Sequence, residues 1–126
     1  MSWGGGQARL RWVPGDEHAN VVGVVHGGGI FSLADCALAV ASNSWGRMCL
    51  AIAMDVQFLS PAVSADPLVA EARERSRSRR TASYLIEVSR ESTPDELVAS
   101  LQATVYRTDR WHLGAEVWTD EWKAAH

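Results

Sequence analysis

After His26-Gly27-Gly28-Gly29 comes an apolar repeat, Ile30, Ala34, Ala37, Leu38 and Ala41, at helical spacing. Glycines do not nucleate a helix by propensity, so the helix has to begin within them, and the repeat predicts it over about 28–44. Gly46, just past the last periodic residue and beside Trp45, is the expected C-terminal stop. Downstream the period falls to two. Leu50, Ile52, Met54, Val56 and Phe58 alternate with Ala51, Ala53, Asp55, Gln57 and Leu59, which predicts a strand turning its large residues onto the helix and ended by Pro61. Further strands are expected at about 67–78, 81–91 and 96–108, with Ser92-Thr93-Pro94-Asp95 as a hairpin turn. A short first strand at 7–13 precedes the turn Pro14-Gly15-Asp16, and Gly4 to Gly6 read as a linker. One helix followed by strands is an α+β order. The sheet must bury one face, and the single strongly apolar helix is what fills it, giving an antiparallel sheet wrapped around one long central helix.

The glycine end of that helix has chemical potential. Its first backbone N–H groups lack intrahelical partners and the macrodipole is positive there, so a developing oxyanion can be held without any side chain. Asp35 follows two turns on, just off the apolar arc, where a carboxylate is costly unless paired or used. The same glycines resemble other loops less well. A lipase-type oxyanion loop needs a Gly-x-Ser-x-Gly elbow, a phosphate loop needs a closing Gly-Lys-Ser/Thr, and a dinucleotide fold needs Gly-x-Gly-x-x-Gly. The chain contains none of them.

With 126 residues the chain is expected to form one domain, 1–126, small enough to gain from burying more surface in an oligomer. A net charge of -3 argues against general nucleic-acid affinity. No apolar run approaches the roughly 20 residues of a membrane span, and the N-terminus lacks a signal-peptide core, so a cytoplasmic location is expected. Cys36 and Cys49 form neither a disulfide framework nor a metal-ligand spacing, and His18, His112 and His126 show none with His26. No metal is expected.

Upstream of the glycines the pattern is His18-x-Asn20-x-x-Gly23-x-x-His26-Gly27-Gly28, continuing through Phe31-Ser32-Leu33-Ala34-Asp35 to Ala41-Ser42-Asn43-Ser44. With Val56-Gln57-Phe58-Leu59-Ser60-Pro61-Ala62, Arg79-Arg80-Thr81-Ala82 and the segment 98–105, it resembles the PaaI-like hotdog-fold acyl-CoA thioesterases. The resemblance covers about 18–108 and leaves 109–126 as a C-terminal extension. It implies hydrolysis of an acyl-CoA, with coenzyme A present only as part of the substrate and no separate cofactor. The Gly27 N–H would stabilise the oxyanion and Asp35 would act as base or nucleophile. Asn20 would orient water or substrate, or else satisfy loop backbone; His26 would hydrogen-bond the loop and shape the pocket. Gly28 and Phe31 are candidate substrate contacts, although core packing accounts equally for Phe31, Met54 and Phe58. The chain departs from relatives that carry a Ser or Thr on the strand after the helix, because it offers Ala51 and Ala53 there. A non-catalytic acyl-CoA binding domain and a hotdog dehydratase are the alternatives.

Arg73, Arg75, Arg77 and Arg79 alternate, so one strand would project all four from one face and turn Arg80 to the other. That face is either solvated or holds coenzyme phosphates, for which Arg79 and Arg80 are the candidates. Gly27 and Asp35 are eight residues apart. That is about 12 Å along a helix, whereas reacting groups must come within ~3.5 Å, so a homodimer is expected to share the site, with a homotetramer as the larger assembly. Trp111, Trp118 and Trp122 in the tail would pack on the sheet or a neighbouring subunit, unless the end is free.

Overall fold

A computed structural model describes all 126 residues. Strand β1 (Ser2–Gly4) and strand β2 (Gln7–Trp12) precede helix α1 (Gly27–Asn43), and strands β3 (Arg47–Phe58), β4 (Leu68–Arg77), β5 (Thr81–Arg90) and β6 (Thr93–Trp111) follow it. A short helix, α2 (Asp120–Ala125), closes the chain. The strands form one six-stranded sheet in the order β1-β2-β4-β5-β6-β3, every neighbouring pair antiparallel. The expected α+β hotdog architecture is therefore present. All five residues of the helical repeat are buried, joined by Leu33, against Ala70, Ala72, Tyr84, Ile86, Leu101 and Val105 of the sheet. Alanines on both sides let α1 lie close in the concave face, and Leu38 and Ile86 fill the centre. No helix is long and apolar enough to cross a membrane.

Two bulges change which side chains face the helix. Ala51 pairs with Val105 and Ala53 with Thr104, so Ile52 is an extra residue in β3. Before it Cys49 faces the helix; after it Met54 and Val56 do. Leu50 and Ile52, expected on the inner face, are instead 61% exposed. In β4, Glu74 pairs with Tyr84 and Ser76 with Ser83, so Arg75 is the extra residue. The four arginines do not share a face. Arg73 lies on the outer face and meets Glu87 at 3.4 Å, whereas Arg77 is turned inward and stacks on Trp45 at 4.0 Å. Arg79 and Arg80 lie beyond β4, in the turn to β5.

Gly4 to Gly6 are the turn of the β1–β2 hairpin and not a linker, with Gly5 and Gly6 at φ +58° and +77°. The hairpin between β5 and β6 turns at Glu91-Ser92, earlier than expected, and β6 already begins at Thr93. The tail packs on its own chain. Trp122 donates from Nε1 to the Trp45 carbonyl at 2.7 Å, and the His126 ring stacks on both Trp45 and Trp122 at 4.8 and 3.9 Å. Gly46, at φ +102°, turns the chain out of α1; a Cβ there would lie 2.9 Å from Trp118. Trp118 thus fits over a turn that only glycine makes without strain.

Candidate active site

The loop before α1 is set by Asn20. Its Oδ1 accepts the Val22 and Val24 N–H groups at 3.0 and 3.1 Å, while its own N–H donates to the Val24 carbonyl at 2.7 Å. Gly23, at φ +81°, donates to the Asn20 carbonyl at 3.0 Å and closes the turn. The loop-satisfying role of Asn20 is thus filled by its oxygen. Its Nδ2 has no protein acceptor and is the donor that the carboxamide offers to the adjoining cleft. The chain then turns at His26, whose N–H donates to the His18 carbonyl at 2.8 Å and whose carbonyl receives the Gly29 and Ile30 N–H groups. It is the backbone of His26 that ties the loop; its ring is exposed and makes no hydrogen bond within the chain.

The Gly27 and Gly28 N–H groups find no acceptor within the protein. Gly27 borders a cleft of 460 Å³ together with Asn20, His26, Val24, Phe58 and Leu59. A Cβ on Gly27 would lie 2.9 Å from the Phe58 ring, whereas one on Gly28 would meet nothing within 4 Å. Glycine at 27 therefore brings a bare helix N-terminus against an aromatic wall, and glycine at 28 leaves its outer side open. Asn20, His26 and Gly27 are brought together as expected, with Gly28 beside them. Phe31 is half-buried and packs at the margin of the core. The walls from Leu59 to Ala62 were not singled out from the sequence as site residues; the only signal there was that they stand in the matching segment 56–62.

Asp35 is not brought to this cleft. It is exposed and makes no hydrogen bond or ion pair within the chain, and the helix places it about 12 Å from Gly27 along the axis. It shares an uncovered face of α1 with Gly28, Ser32, Cys36 and Ala39, all of them small and exposed. Ser32 and Cys36 on that face border Leu10, Arg11 and Trp12 of β2, and the edge strand β3 carries the exposed Leu50 and Ile52. Arg79 and Arg80 lie apart from both. Arg80 is held by Asp109 at 2.8 Å, which keeps the Asp109 carboxyl below its ordinary pKa, and Arg79 is exposed without an ion pair. No three side chains among His, Cys, Asp and Glu converge as a metal-ligand set.

The family model described as the thioesterase superfamily matches residues 22–97. A protein of Archaeoglobus fulgidus named "Putative esterase" is 43% identical over 104 residues, which span 82% of this chain and 66% of that protein. Acyl-coenzyme A thioesterase PaaI of Escherichia coli is 44% identical over 63 residues, spanning 50% of this chain and 45% of its own length. The chain thus spans less than two thirds of either relative. In structure, the PaaI protein from the E. coli phenylacetic acid degradation operon superimposes with a TM-score of 0.78 at 33% identity, covering 82% of this chain and 73% of that one. A variant of PaaI from Thermus thermophilus gives 0.79 at 33% identity, with coverage of 86% and 90%. Helix, loop and matched segments agree: the chain belongs to the thioesterase superfamily, as a PaaI-like member with the hotdog fold.

Proposed function

We propose that this chain hydrolyses an acyl-CoA to the free acid and coenzyme A. The observation that carries the reading is the pair of unpartnered N–H groups at Gly27 and Gly28, opening on a cleft that also offers the Asn20 carboxamide. With the thioester oxygen at Gly27, attack on the carbonyl carbon moves charge onto that oxygen, where the backbone donor and the helix dipole stabilise it. One such donor contributes roughly 10² to 10³ in rate. The carbon–sulfur bond then breaks, and the thiolate leaves as coenzyme A on taking a proton. Asp35 either draws the proton from the attacking water or itself attacks, forming an anhydride that water then opens. Asn20 orients the water or the thioester through Nδ2, and His26 and Phe58 wall the cleft.

Because one helix separates Gly27 from Asp35, the site takes Asp35 from a second copy in a homodimer, of which a homotetramer is a pairing. The small uncovered face of α1 suits the close approach of a second, antiparallel α1. The acyl-CoA name of the E. coli relative supports the substrate class. Thiol release from a panel of acyl-CoAs tests the function: turnover of at least one is expected. Coenzyme binding with no release across the panel would favour the non-catalytic binding domain, and water addition to an enoyl-CoA would favour the dehydratase.

Coenzyme phosphates are assigned to the β4–β5 turn, with Arg79 free to bind and Arg80 braced by Asp109. Arg79→Ala is expected to raise KM for acyl-CoA severalfold while leaving KM for an N-acetylcysteamine thioester unchanged, and Arg80→Ala to act in the same direction. Equal effects on both substrates would return these arginines to a solvated surface.

A further inference from the structure

The glycine run has a second side. Gly27 borders the Phe58 cleft, whereas Gly29, two residues on and so about 200° round the helix, borders a groove of 410 Å³ between α1 and β2, with Leu10, Trp12, Leu33 and Cys36. The polar side chains along this groove are engaged. Ser32 turns its hydroxyl back to the Gly28 carbonyl at 2.8 Å, Arg11 pairs with Glu91, and His18 Nδ1 accepts the Gly15 N–H at 3.3 Å and stands 3.4 Å from Glu17. The groove therefore presents chiefly carbon and no unpaired charge. Strand β2 runs antiparallel to α1, from Gly6 at Ser44 to Trp12 at Gly29. A Cβ on Gly29 would stand 3.1 Å from Cη2 of Trp12, and the His18 ring meets the indole edge-on at 4.9 Å. Glycine at 29 thus lets the indole rest on the helix, at the end of the groove next to the Gly27 and Gly28 donors. Leu10, two residues back along β2, and Cys36, about 10 Å farther along α1, line the other end.

We propose that this groove holds the acyl group as an unbranched chain of medium length, with Trp12 setting the width beside the carbonyl and Leu10 and Cys36 setting the length. The proposal rests on the acyl-CoA reading above. A thioester carbonyl has two arms, one rich in amides and one apolar. Bound at the Gly27 and Gly28 N–H groups, it has the Phe58 cleft on one flank and the groove on the other, and the two flanks differ in chemistry as the arms do. The cleft offers Asn20, His26 and Ser60 to the amides of the coenzyme arm, whereas the groove offers Leu10, Trp12 and Leu33 to an alkyl chain. The indole resting on Gly29 leaves a slot for a straight chain and meets any branch next to the carbonyl. Methylenes beyond Leu10 and Cys36 leave the groove and gain no further burial.

Calorimetric titration with coenzyme A and its S-butyl and S-octyl thioethers, which carry no thioester to hydrolyse, tests the groove apart from turnover. Each buried methylene strengthens binding about two- to fourfold, so the octyl compound is expected to bind about tenfold or more tightly than the butyl one. Cys36→Phe fills the far end and should remove that gain while leaving S-butyl binding unchanged. Leu10→Phe, from the facing strand, should do the same, which keeps the test decisive if one of the two variants disturbs the fold. In turnover, Trp12→Ala should raise kcat/KM for a 2-methyl-branched acyl-CoA about tenfold relative to its straight-chain isomer. Equal binding of the butyl and octyl compounds by the wild-type protein, or an octyl gain that survives both folded variants, overturns the groove and leaves the acyl-CoA reading standing. A weakened dimer in Cys36→Phe with the octyl gain intact assigns the groove to the partner's helix and overturns it equally. Wild-type protein that binds none of the three compounds removes the acyl-CoA reading and the groove with it. An octyl gain without thiol release from any acyl-CoA keeps the groove and removes the hydrolase reading.

Discussion

Asp35→Ala is expected to lower kcat for acyl-CoA by ~10² or more while leaving the melting curve and the oligomeric state unchanged. The two halves of that result have separate physical grounds. Asp35 is exposed, touches no other polar group of its chain, and lies outside the buried stripe from Ile30 to Ala41, so its removal opens no cavity and strands no partner. Exposed substitutions of this kind usually stay within about 0.5 kcal/mol. The kinetic half follows from the lack of another carboxylate near the glycine end: the cleft at Gly27 is lined by Asn20, His26, Ser60 and apolar side chains, with no Asp or Glu among them. Either role assigned to Asp35, as base or as nucleophile, therefore disappears with the side chain. Turnover of the variant at the wild-type rate would remove Asp35 from the mechanism and leave water to attack with help only from the helix N-terminus.

Elements with a local signal of their own are legible in the sequence. The helix is one, because its buried stripe repeats within one segment and its glycine start sits beside it. Asn20, His26 and Gly27 are legible together for the same reason, since a short loop joins them and loop hydrogen bonds confine their geometry. The inner face of β3 and the arginine row of β4 are not. A single extra residue at Ile52, and another at Arg75, reverses every side chain that follows, and neither position carries a glycine or proline to betray the bulge. The groove between α1 and β2 is hidden for a different reason. Leu10 and Trp12 are far in sequence from Leu33 and Cys36, and only the docking of α1 beside β2 brings them together. The tryptophans of the tail announce packing but not its target, because aromatic residues fit many surfaces.

Two inactive variants should restore about a quarter of wild-type activity when their chains are mixed in equal amounts and allowed to re-pair. Asp35→Ala removes the carboxylate. Gly27→Pro removes the backbone donor, and does so at the first residue of α1, where proline is tolerated. The residue before it, His26, already has ψ 139°, the extended conformation that a following proline favours. The proline ring has to displace the Phe58 side chain, which is 54% exposed and free to swing outward. In a dimer of one chain of each kind, one site combines the intact Gly27 of the first variant with the intact Asp35 of the second, and the other site lacks both. Random pairing makes about half the dimers mixed, each with one working site of two, hence the quarter. A site built within one chain predicts no recovery at all, since every chain then carries one defect. Native mass spectrometry establishes that mixed dimers have formed; activity that stays at the level of the separate variants in their presence would show that Gly27 and Asp35 do not act across a subunit boundary.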